Sequence, residues 1–280
     1  MCGTCGCGSD EQTMTNLETG QTHVLVDDRH EHVHADGTRH THDHHHEHPH
    51  THSHDRSPTV VELNARILAK NDTLAERNRA WFRGREILAL NLMSAPGAGK
   101  TTLLERTIAD LKSRQKLFVL EGDQATDHDG ARVKAAGASA VQINTGSGCH
   151  LDAEMVMRGL GELKPESGSL LFIENVGNLV CPALFDLGEN KRVAILSVTE
   201  GDDKPLKYPH MFQAANLMLL NKIDLLAHVD FNVDRAIAYA RQVNPVIEIL
   251  PVSARTGEGM AQWHAWIDDA HKVVRARVFA

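Results

Sequence analysis

The chain has no long apolar segment and no surplus of basic residues. No apolar run reaches the roughly 18 residues of a membrane-spanning helix, and the N-terminus lacks the hydrophobic core of a signal peptide. Lys and Arg number 29 against 37 Asp and Glu, whereas a nucleic-acid-binding surface needs a basic stripe. From these absences we expect a protein with no membrane partner and no nucleic-acid partner.

Cysteine is also scarce, with five residues in a chain of 280. Three of them, Cys2, Cys5 and Cys7, lie too close together to pair comfortably, and the total is odd. Free thiols of this kind fit the reducing cytosol rather than an oxidising compartment. We therefore expect a cytoplasmic location.

Histidine, in contrast, is abundant near the N-terminus, because 13 of the 19 histidines lie between His23 and His54. A segment in which His, Asp and Thr alternate cannot bury an apolar face, whereas imidazole and thiolate are ligands that borderline and soft transition metals prefer. We expect residues 1–57 to form a disordered, Cys/His-rich metal-binding arm. A flexible arm that binds metal only incidentally is the alternative. The weaker storage sites predicted in this arm are His42, His44, His45, His46, His48, His50, His52 and His54.

Residues 58–84 are predicted to form an amphipathic linker helix. Ser57 and Pro58 give a helix start, with a capping hydroxyl followed by a proline at the first helical position. Gly84 closes the segment. Apolar residues at spacings of four and seven define the expected buried face, namely Leu63, Ile67, Leu74 and Trp81.

Residues 85–280 are predicted to form a single domain with a doubly wound, mostly parallel α/β sheet. Short apolar runs alternate with helical stretches, and strands that are apolar on both faces are typical of a sheet covered by helices on both sides. A last helix is expected from about Met260 to Val274. The runs are 87–93, 117–121, 140–143, 170–174, 193–198, 216–220 and 246–252.

The first of these runs leads into a glycine-rich turn and then a helix, which is the context of a phosphate-binding P-loop. The glycines let backbone N–H groups turn toward phosphate oxygens at the positive end of the helix. We expect Lys100 to bridge the β- and γ-phosphates and the Thr101 hydroxyl to coordinate Mg²⁺. Ser94 stands where the first glycine of the pattern is usual. The predicted phosphate-binding residues are Gly97, Ala98, Gly99, Lys100, Thr101 and Thr102.

A later buried run ends in Asn221-Lys222-Ile223-Asp224, which matches the guanine-specificity motif NKxD. The Asp224 carboxylate can accept from both the ring N–H and the exocyclic amine of guanine, and adenine offers no such donor pair on that edge. Asn221 is expected to fix the loop and the base edge, and the stem of Lys222 to lie across the ring. The loop at Ser253 and Ala254 is expected to present backbone N–H groups to the base oxygen. GTP and GDP are therefore the expected nucleotides.

Acidic residues at two strand ends are predicted to face the phosphates. Asp123 follows the strand after the P-loop helix, where an acid can meet Mg²⁺ or the attacking water. Asp127 and Asp129 are better interpreted as caps of the next helix. Glu174 occupies the Walker-B position at the end of its strand. The residues predicted to carry the hydrolysis are Lys100, Thr101, Asp123 and Glu174.

A second group of metal ligands is predicted close to the phosphates. Gly177 lies where a backbone amide would sense the γ-phosphate, and a glycine permits that peptide to flip. Cys181 follows four residues later, so its position should depend on the nucleotide state. Cys149 and His150 lie in another glycine-rich turn. Three ligands are fewer than a closed four-coordinate site needs, so water or a second subunit would complete the coordination; a buried, inert thiol is the alternative for each cysteine.

Taken together, these residues resemble the HypB family of hydrogenase nickel-incorporation GTPases, a branch of the dimerising P-loop GTPases. The resemblance covers essentially the whole chain. It is carried by the histidine tract and by residues 1–7, 94–102, 121–124, 145–152, 174–182 and 221–224.

The resemblance implies a Mg²⁺-dependent GTPase that stores nickel and delivers it. GTP binding would favour a homodimer, and hydrolysis would drive nickel handover to a [NiFe]-hydrogenase large-subunit precursor, together with a small zinc-containing metallochaperone of the HypA type. The implied Ni²⁺ sites are a tight one at Cys2, Cys5 and Cys7 and a second one at the dimer interface, where Zn²⁺ is the alternative ion, at Cys149, His150 and Cys181.

Other functions stay open on the sequence alone. A nickel or zinc storage protein could carry the same ligands with only vestigial nucleotide turnover. The urease-associated nickel GTPases are also rich in histidine, although the two cysteine sets argue against them. The N-terminal thiols could act as a redox sensor, but their tight spacing suits square-planar Ni(II) better.

Overall fold

The structure is a computed structural model of the chain. It describes residues 12–25, 31–33, 39–41, 60–123, 128–146 and 148–276. Residues 31–33, 39–41, 60–64, 128 and 129 are described by their backbone only. Within these ranges, no helix combines the length and the apolar character that crossing a bilayer requires.

Two short hairpins and one long helix come first along the chain. The first hairpin joins β1 (Thr13–Asn16) to β2 (Thr22–Val24), and the second joins β3 (Glu31–Val33) to β4 (Arg39–Thr41). Helix α1 (Val60–Gly84) follows and ends at the glycine that the sequence marks as its end.

Strands and helices then alternate, as the apolar runs predict. The elements are β5 (Leu88–Ser94), α2 (Lys100–Leu111), β6 (Leu117–Asp123), α3 (His128–Ala136), β7 (Ser139–Asn144), α4 (Ala153–Leu163), β8 (Leu170–Glu174), α5 (Cys181–Leu184), β9 (Lys191–Ser197), α6 (Lys204–Lys207), α7 (Pro209–Ala214), β10 (Leu217–Asn221), a 3₁₀ turn (Ile223–His228), α8 (Val233–Val243), β11 (Glu248–Pro251) and α9 (Met260–Ala276).

Nine strands form one sheet, in the order β11-β10-β9-β5-β8-β6-β7-β1-β2. Strands β5 to β11 pair in parallel, and β1 and β2 are antiparallel to their neighbours. The prediction of a doubly wound, mostly parallel sheet is confirmed. Because the parallel strands end at the same edge, the loops after β5, β6, β8 and β10 lie on one side of the molecule.

The central strand β5 shows how the core is divided between two layers. Every residue of β5 is buried. Leu88, Leu90 and Leu92 pack in a cluster with α2 and α9, whereas Ala89 packs in a second cluster with α1 and α4. Since successive side chains of a strand point to opposite faces, both faces of β5 are covered. The loop after β5 therefore starts from a strand that is held on both sides.

Part of the N-terminal segment is ordered, contrary to the expectation of a disordered arm over residues 1–57. Strand β1 extends the sheet beside β7, with Thr13 opposite Asn144 and Met14 opposite Ile143. Met14 is 2% exposed and packs into the core cluster of α1 and α4. The sequence does not reveal this strand, because β1 has only one buried apolar side chain. The strand is held mainly by main-chain hydrogen bonds to β7.

The buried face of α1 also differs from the predicted one. Ile67 is 48% exposed, and the buried positions of the helix are Asn71, Ala75, Asn78 and Phe82. The helical spacing is right, and Leu74 and Trp81 are half-buried, with Trp81 packed against the core. The fully buried face is nevertheless rotated from the predicted positions, because two of its residues are asparagines. Asn78 Nδ2 donates to Ala153 O at 2.8 Å and to Leu187 O at 3.0 Å. A pattern of apolar residues cannot identify buried polar positions whose hydrogen bonds are satisfied.

Candidate functional site: a nucleotide cleft and an adjacent metal cluster

The glycine-rich loop leaves β5, and α2 begins at Lys100 directly after it. Gly97 and Gly99 have φ values of 73° and 95°, a left-handed conformation that glycine adopts at little cost. A Cβ on Gly99 would lie 2.7 Å from Asn221 Nδ2, so close approach requires glycine as well. The backbone N–H groups at the start of α2 therefore form an anion-binding helix end.

Ser94, the departure from the usual loop pattern, contacts the lysine of the same loop. Lys100 Nζ donates to Ser94 Oγ at 2.9 Å, and Ser94 Oγ donates to Ala95 O at 2.7 Å. Ser94 is fully buried. Its hydroxyl thus holds the ammonium group of Lys100 over the loop, where a P-loop lysine meets phosphate.

Thr101 and Glu174 are in direct contact across the cleft. Thr101 Oγ1 donates to Glu174 Oε1 at 2.8 Å, and both residues are buried. Glu121 and Asp123 line the same cleft from β6. One hydroxyl and three carboxylates beside a phosphate loop are the oxygen ligands that Mg²⁺ prefers, so these residues fit a magnesium–nucleotide complex.

The NKxD residues contact the phosphate loop from the end of β10. Asn221 Nδ2 donates to Ala98 O at 2.9 Å, and Lys222 Nζ donates to Gly97 O at 2.6 Å. Lys222 itself has a φ of 62°, which turns the chain into the 3₁₀ segment that follows. Two motifs that are far apart in the sequence therefore form one continuous site.

The second predicted guanine loop lies against the aspartate of the NKxD motif. Ser253 Oγ donates to Asp224 Oδ1 at 2.6 Å, and Arg255 Nη1 lies 4.0 Å from Asp224 Oδ2. Thr256 N donates to Ser253 Oγ at 3.1 Å, and Ala254 is 8% exposed. The structure thus brings both predicted base-contacting loops together at one end of the site.

A cleft of about 480 Å³ lies at the phosphate end. Its walls are the glycine-rich loop, the ends of β6 and β8, Arg132 of α3 and Lys222. Gly177 closes one side, and a Cβ there would lie 3.1 Å from Pro96 Cα. A side chain at this position would therefore be tight against the loop, and glycine also supplies the freedom that a peptide flip would need.

One group of metal-binding side chains occurs in the part of the chain that the structure describes, and it consists of Cys149, His150 and Cys181. Their ligand atoms lie within 4.8 Å of one another, and all three residues are half-buried. Cys149 Sγ lies 3.7 Å from His150 Nδ1, and neither cysteine forms a disulfide. Two separate segments thus supply one cluster of soft and borderline ligands.

The imidazole of His150 is held in a position that favours its neutral form. Its ring stacks on Phe185 with the centroids 3.8 Å apart and an interplanar angle of 27°. Burial lowers the pKa of His150 below its ordinary value, and the nearby Asp152 carboxylate opposes that shift. Metal ligation requires a neutral imidazole, so the local environment suits this role.

Cys149 follows a hydrogen-bonded turn that starts at the end of β7 and is bonded to the end of β6. Thr145 N donates to Asp123 O at 2.9 Å, and Thr145 Oγ1 donates to Gly148 O at 2.7 Å. We call residues 145–152 the metal turn. Through Thr145, the metal turn is attached to the carbonyl group of an acid that lines the phosphate cleft.

Cys181 is attached to the other wall of the cleft. We call residues 174–177, which run from the buried end of β8 to Gly177, the switch segment. Asn178 Oδ1 accepts from Val180 N at 2.8 Å and from Cys181 N at 3.3 Å, in a turn that leads into α5. The backbone of Cys181 is therefore held by the residue that directly follows the switch segment.

Several predicted site residues lie outside the described ranges. These are Asp127 and the N-terminal ligands Cys2, Cys5, Cys7, His42, His44, His45, His46, His48, His50, His52 and His54. Asp129 is described by its backbone alone, within α3. Conversely, Arg132, Asn175 and Phe185 contact the site without having been singled out from the sequence, because only their long-range contacts distinguish them.

Comparison with known proteins identifies the family. The nucleotide-binding domain of the CobW/HypB/UreG family matches residues 88–251, a range that contains the phosphate loop, both metal-binding segments and the NKxD motif. A hydrogenase maturation factor HypB from Azotobacter vinelandii is 63% identical over 215 residues, which are 76% of this chain and 71% of that protein.

Solved structures agree with this assignment. Hydrogenase maturation factor HypB from Archaeoglobus fulgidus has a TM-score of 0.68 and 42% identity, over 73% of this chain and 100% of that chain. HypB from Helicobacter pylori, solved in complex with nickel, has a TM-score of 0.68 and 36% identity, over 72% of this chain and 95% of that chain. The chain therefore belongs to the CobW/HypB/UreG family and, within it, to the hydrogenase maturation factors HypB.

Proposed function

We propose that the chain is a GTP-hydrolysing nickel metallochaperone, which stores nickel and delivers it to a [NiFe]-hydrogenase precursor. Family membership supports nucleotide binding and a part in hydrogenase maturation. The nickel complex of the Helicobacter pylori relative supports nickel as the cargo. The observation that carries the proposal is the meeting of Cys149, His150 and Cys181 on turns that leave the nucleotide cleft.

Hydrolysis would take place at the phosphate end of the cleft. Backbone N–H groups of residues 97–102 would cradle the phosphates, and Lys100 would neutralise charge between the β- and γ-phosphates. Asp123 would orient the attacking water. Mg²⁺, held by Thr101 and Glu174, would neutralise further phosphate charge.

Guanine would bind between the two loops at the ends of β10 and β11. Asp224 would accept from the ring N–H and the exocyclic amine, and its contact with Ser253 at 2.6 Å fixes the orientation of the carboxylate. Asn221 and Lys222 would link the base to the phosphate loop. The backbone N–H groups of Ser253 and Ala254 would meet the base oxygen.

Nickel release is proposed to depend on the bound nucleotide. The first residue of the metal turn is hydrogen-bonded to the carbonyl group of Asp123, and Cys181 lies four residues beyond Gly177. If the backbone at Asp123 or Gly177 moves to contact the γ-phosphate, the spacing of the three ligand atoms changes with it. A ligand set whose spacing changes holds nickel with a different affinity in the GDP and GTP states.

A homodimer would complete the internal site. Three ligands are fewer than Ni²⁺ or Zn²⁺ takes in a closed site. Val180 and Leu184 lie beside Cys181 and are 44% and 47% exposed, so a second copy would also cover apolar surface. The cysteines at the N-terminus would form the tighter nickel site, and a small zinc-containing metallochaperone of the HypA type would take part in the handover. The cytoplasm is the proposed location because these thiols must stay reduced.

A substitution of the loop lysine separates this proposal from a storage protein with vestigial nucleotide turnover. We expect Lys100→Ala to lower the rate of GTP hydrolysis by about a hundredfold or more, since the ammonium group stabilises charge in the transition state. The measurement is phosphate release at saturating GTP. Lys112→Ala is the control, because Lys112 lies at the far end of α2 and bonds Ala136 O, and its rate should match wild type. Equal rates for Lys100→Ala and wild type would leave only the storage function.

A further inference from the structure

A buried asparagine connects the switch segment to the metal turn. Asn175 directly follows Glu174 and is 1% exposed. Its Oδ1 accepts from Val176 N at 3.0 Å and from Leu151 N at 3.1 Å. Leu151 is the residue after His150. One side-chain oxygen thus holds the backbone next to a metal ligand and the backbone that leads to the phosphate-facing glycine.

The orientation of the Asn175 amide is set by its partners. Two backbone N–H groups can only donate, so the atom facing them must be the oxygen. On the other side, Asn175 Nδ2 lies 3.3 Å from Asn91 Oδ1, and Asn91 Nδ2 donates to Glu189 Oε1 at 3.1 Å. Asn91 has no exposed surface. Because each amide is held on both sides, the chain of contacts from Glu189 to Leu151 has one arrangement in this structure.

This contact differs from the links at the other two ligands in the segments that it joins. Asn178 holds Cys181 N within one local turn, and Thr145 joins the start of the metal turn to Asp123 O at the end of β6. Asn175 joins the metal turn to the switch segment, 24 residues further along the chain. Without it, the backbone after His150 would have no side-chain contact with the switch segment among the hydrogen bonds described.

We propose that Asn175 is the positioning residue that transmits the nucleotide state to His150. The proposal rests on the proposed function, because it supplies a route for nucleotide-dependent nickel release. When the backbone of the switch segment moves so that Gly177 N meets a γ-phosphate, the preceding residue moves as well, and Val176 N changes its position relative to Asn175 Oδ1. The shared oxygen then shifts, and Leu151 N shifts with it. The imidazole of His150 changes its distance from the two thiols, and the affinity for nickel changes.

The test measures nickel affinity at the internal site in two nucleotide states. The full-length chain carries Cys2→Ser, Cys5→Ser and Cys7→Ser, so that thiolate-to-nickel absorption reports on Cys149 and Cys181 alone. Ni²⁺ is titrated against a competing chelator with Mg²⁺ and either GDP or a non-hydrolysable GTP analogue. In this background we expect the two affinities to differ by a factor in the range of about 5 to 150, as is usual for coupled sites.

Asn175→Ala in the same background is expected to bring the ratio of the two affinities to about 1, while nickel still binds through its three ligands. Asn91→Ala is the second variant, chosen because it keeps Asn175 Oδ1 but removes the partner that orients the amide. We expect it to reduce the ratio severalfold, and it keeps the test decisive if Asn175→Ala does not fold.

Asn78→Ala is the matched control. Asn78 is also buried, at 2% exposure, and it bonds Ala153 O beyond the metal turn and Leu187 O. Neither of these contacts involves the switch segment. A purely structural effect should therefore appear in Asn78→Ala as a shift of both nickel affinities by the same factor, with the ratio kept.

The outcomes distinguish the two levels of the proposal. A ratio of about 1 in the background chain itself would remove nucleotide-gated release, and the role of Asn175 with it. A clear ratio that persists in both Asn175→Ala and Asn91→Ala would leave gating intact and overturn the role of Asn175. Loss of the ratio in Asn78→Ala to the same extent would show that any buried defect uncouples the sites, and would also overturn it.

Discussion

Single residues hold the NKxD motif against the phosphate loop by contacts that need no bound nucleotide. Asn221 and Lys222 both donate to carbonyl groups of the phosphate loop, at 2.9 and 2.6 Å. Gly99 is required where Asn221 approaches. At the opposite end, Asp224 is oriented by Ser253. Side chains that are already held in place lose little further freedom when a ligand binds, which favours affinity.

At this scale, the proposed guanine site predicts that base selectivity depends on the acceptor character of Asp224. We expect Asp224→Asn to weaken GTP binding by about 10- to 100-fold, because an amide nitrogen faces a donor of guanine and a charged hydrogen bond is lost. Xanthosine triphosphate, which has a carbonyl group in place of the exocyclic amine, should then bind better than GTP. Nucleotide affinity measured by displacement of a fluorescent GDP analogue checks this. Asp203→Asn, in an acid paired with Lys207 on the surface, should leave GTP affinity as it is; an unchanged affinity for Asp224→Asn would contradict the assignment.

The site residues that could be predicted from the sequence are those that belong to contiguous motifs. The glycine-rich loop and the NKxD motif each present their ligand groups within a few residues, so spacing alone points to them. Asn175 and Phe185 differ, because their roles come from contacts with Leu151 and His150 in another segment. No local pattern encodes such a contact, and an asparagine after a strand has many other uses.

Helix α1 holds the two segments that carry the metal ligands. Asn71 accepts from Ala153 N at 2.9 Å and donates to Asp186 O at 2.8 Å. Arg79 donates to Glu189 O at 3.1 Å and forms an ion pair with Asp186. The helix therefore connects the start of α4, just after the metal turn, to the loop after α5. A segment that the sequence indicates only as a linker is part of the support of the site.

Close packing between α1 and this loop gives a prediction at the scale of the element. Gly188 has a φ of 84°, and a Cβ there would overlap the carbonyl oxygen of Ala75 and lie 2.7 Å from Asn78 Cβ. We expect Gly188→Ala to lower the free energy of unfolding by about 1–3 kcal/mol or more, through backbone strain and displacement of the helix.

Gly161→Ala is the control for this change. Gly161 lies in α4, where a Cβ would meet nothing within 4 Å, so alanine should raise the free energy of unfolding by about 0.5–1 kcal/mol. Urea unfolding followed by circular dichroism measures both variants. Equal stabilities for Gly188→Ala and wild type would show that the loop can move away from α1 without cost.

The strands of the sheet were predictable because each is an uninterrupted apolar run that helices cover on both sides. The hairpin of β1 and β2 was not, since only Met14 among the residues of β1 is fully buried. The fully buried face of α1 differs from the predicted one because Asn71 and Asn78 occupy core positions. In both cases the structure depends on hydrogen bonds to main-chain groups, made by the neighbouring strand for β1 and by asparagine side chains for α1. Such bonds leave no trace in the hydrophobicity of the sequence.

The first and last helices of the described domain meet at a buried histidine. His271 of α9 is 3% exposed, and its Nε2 lies 3.3 Å from Glu86 O, just after α1. Burial lowers the pKa of His271, and the positive charge of Arg275 lowers it further. His271 therefore binds a proton less readily in the folded chain than in the unfolded chain, so that low pH favours unfolding.

This linkage predicts how the stability of the whole molecule depends on pH. The pKa of His271 in the folded state lies below the ordinary 6.5. Well above pH 6.5, the residue is neutral in both states and does not affect the free energy of unfolding. As the pH drops below 6.5, the unfolded chain takes up the proton first, and the free energy of unfolding falls. We expect His271→Gln to reduce the loss of stability between about pH 7.5 and about pH 5.5, measured by urea midpoints. Some loss should remain, because burial also lowers the pKa of His264. His210→Gln, an exposed histidine on α7, is the control; a wild-type slope in His271→Gln would contradict the linkage.

The hairpin at the edge of the sheet sets the reach of the N-terminal thiols. Thr13 is paired with Asn144, at the end of β7 from which the metal turn departs. Cys7 precedes Thr13 by six residues, and six extended residues span at most about 20 Å. If α1 were instead the first element of the fold, about 50 residues would separate the same cysteine from it. On the proposed function, the thiol of Cys7 would therefore have an effective concentration on the order of millimolar at the start of the metal turn, however dilute the protein is. A nickel ion that left one thiol set would then meet the other far more often than it would meet a second molecule.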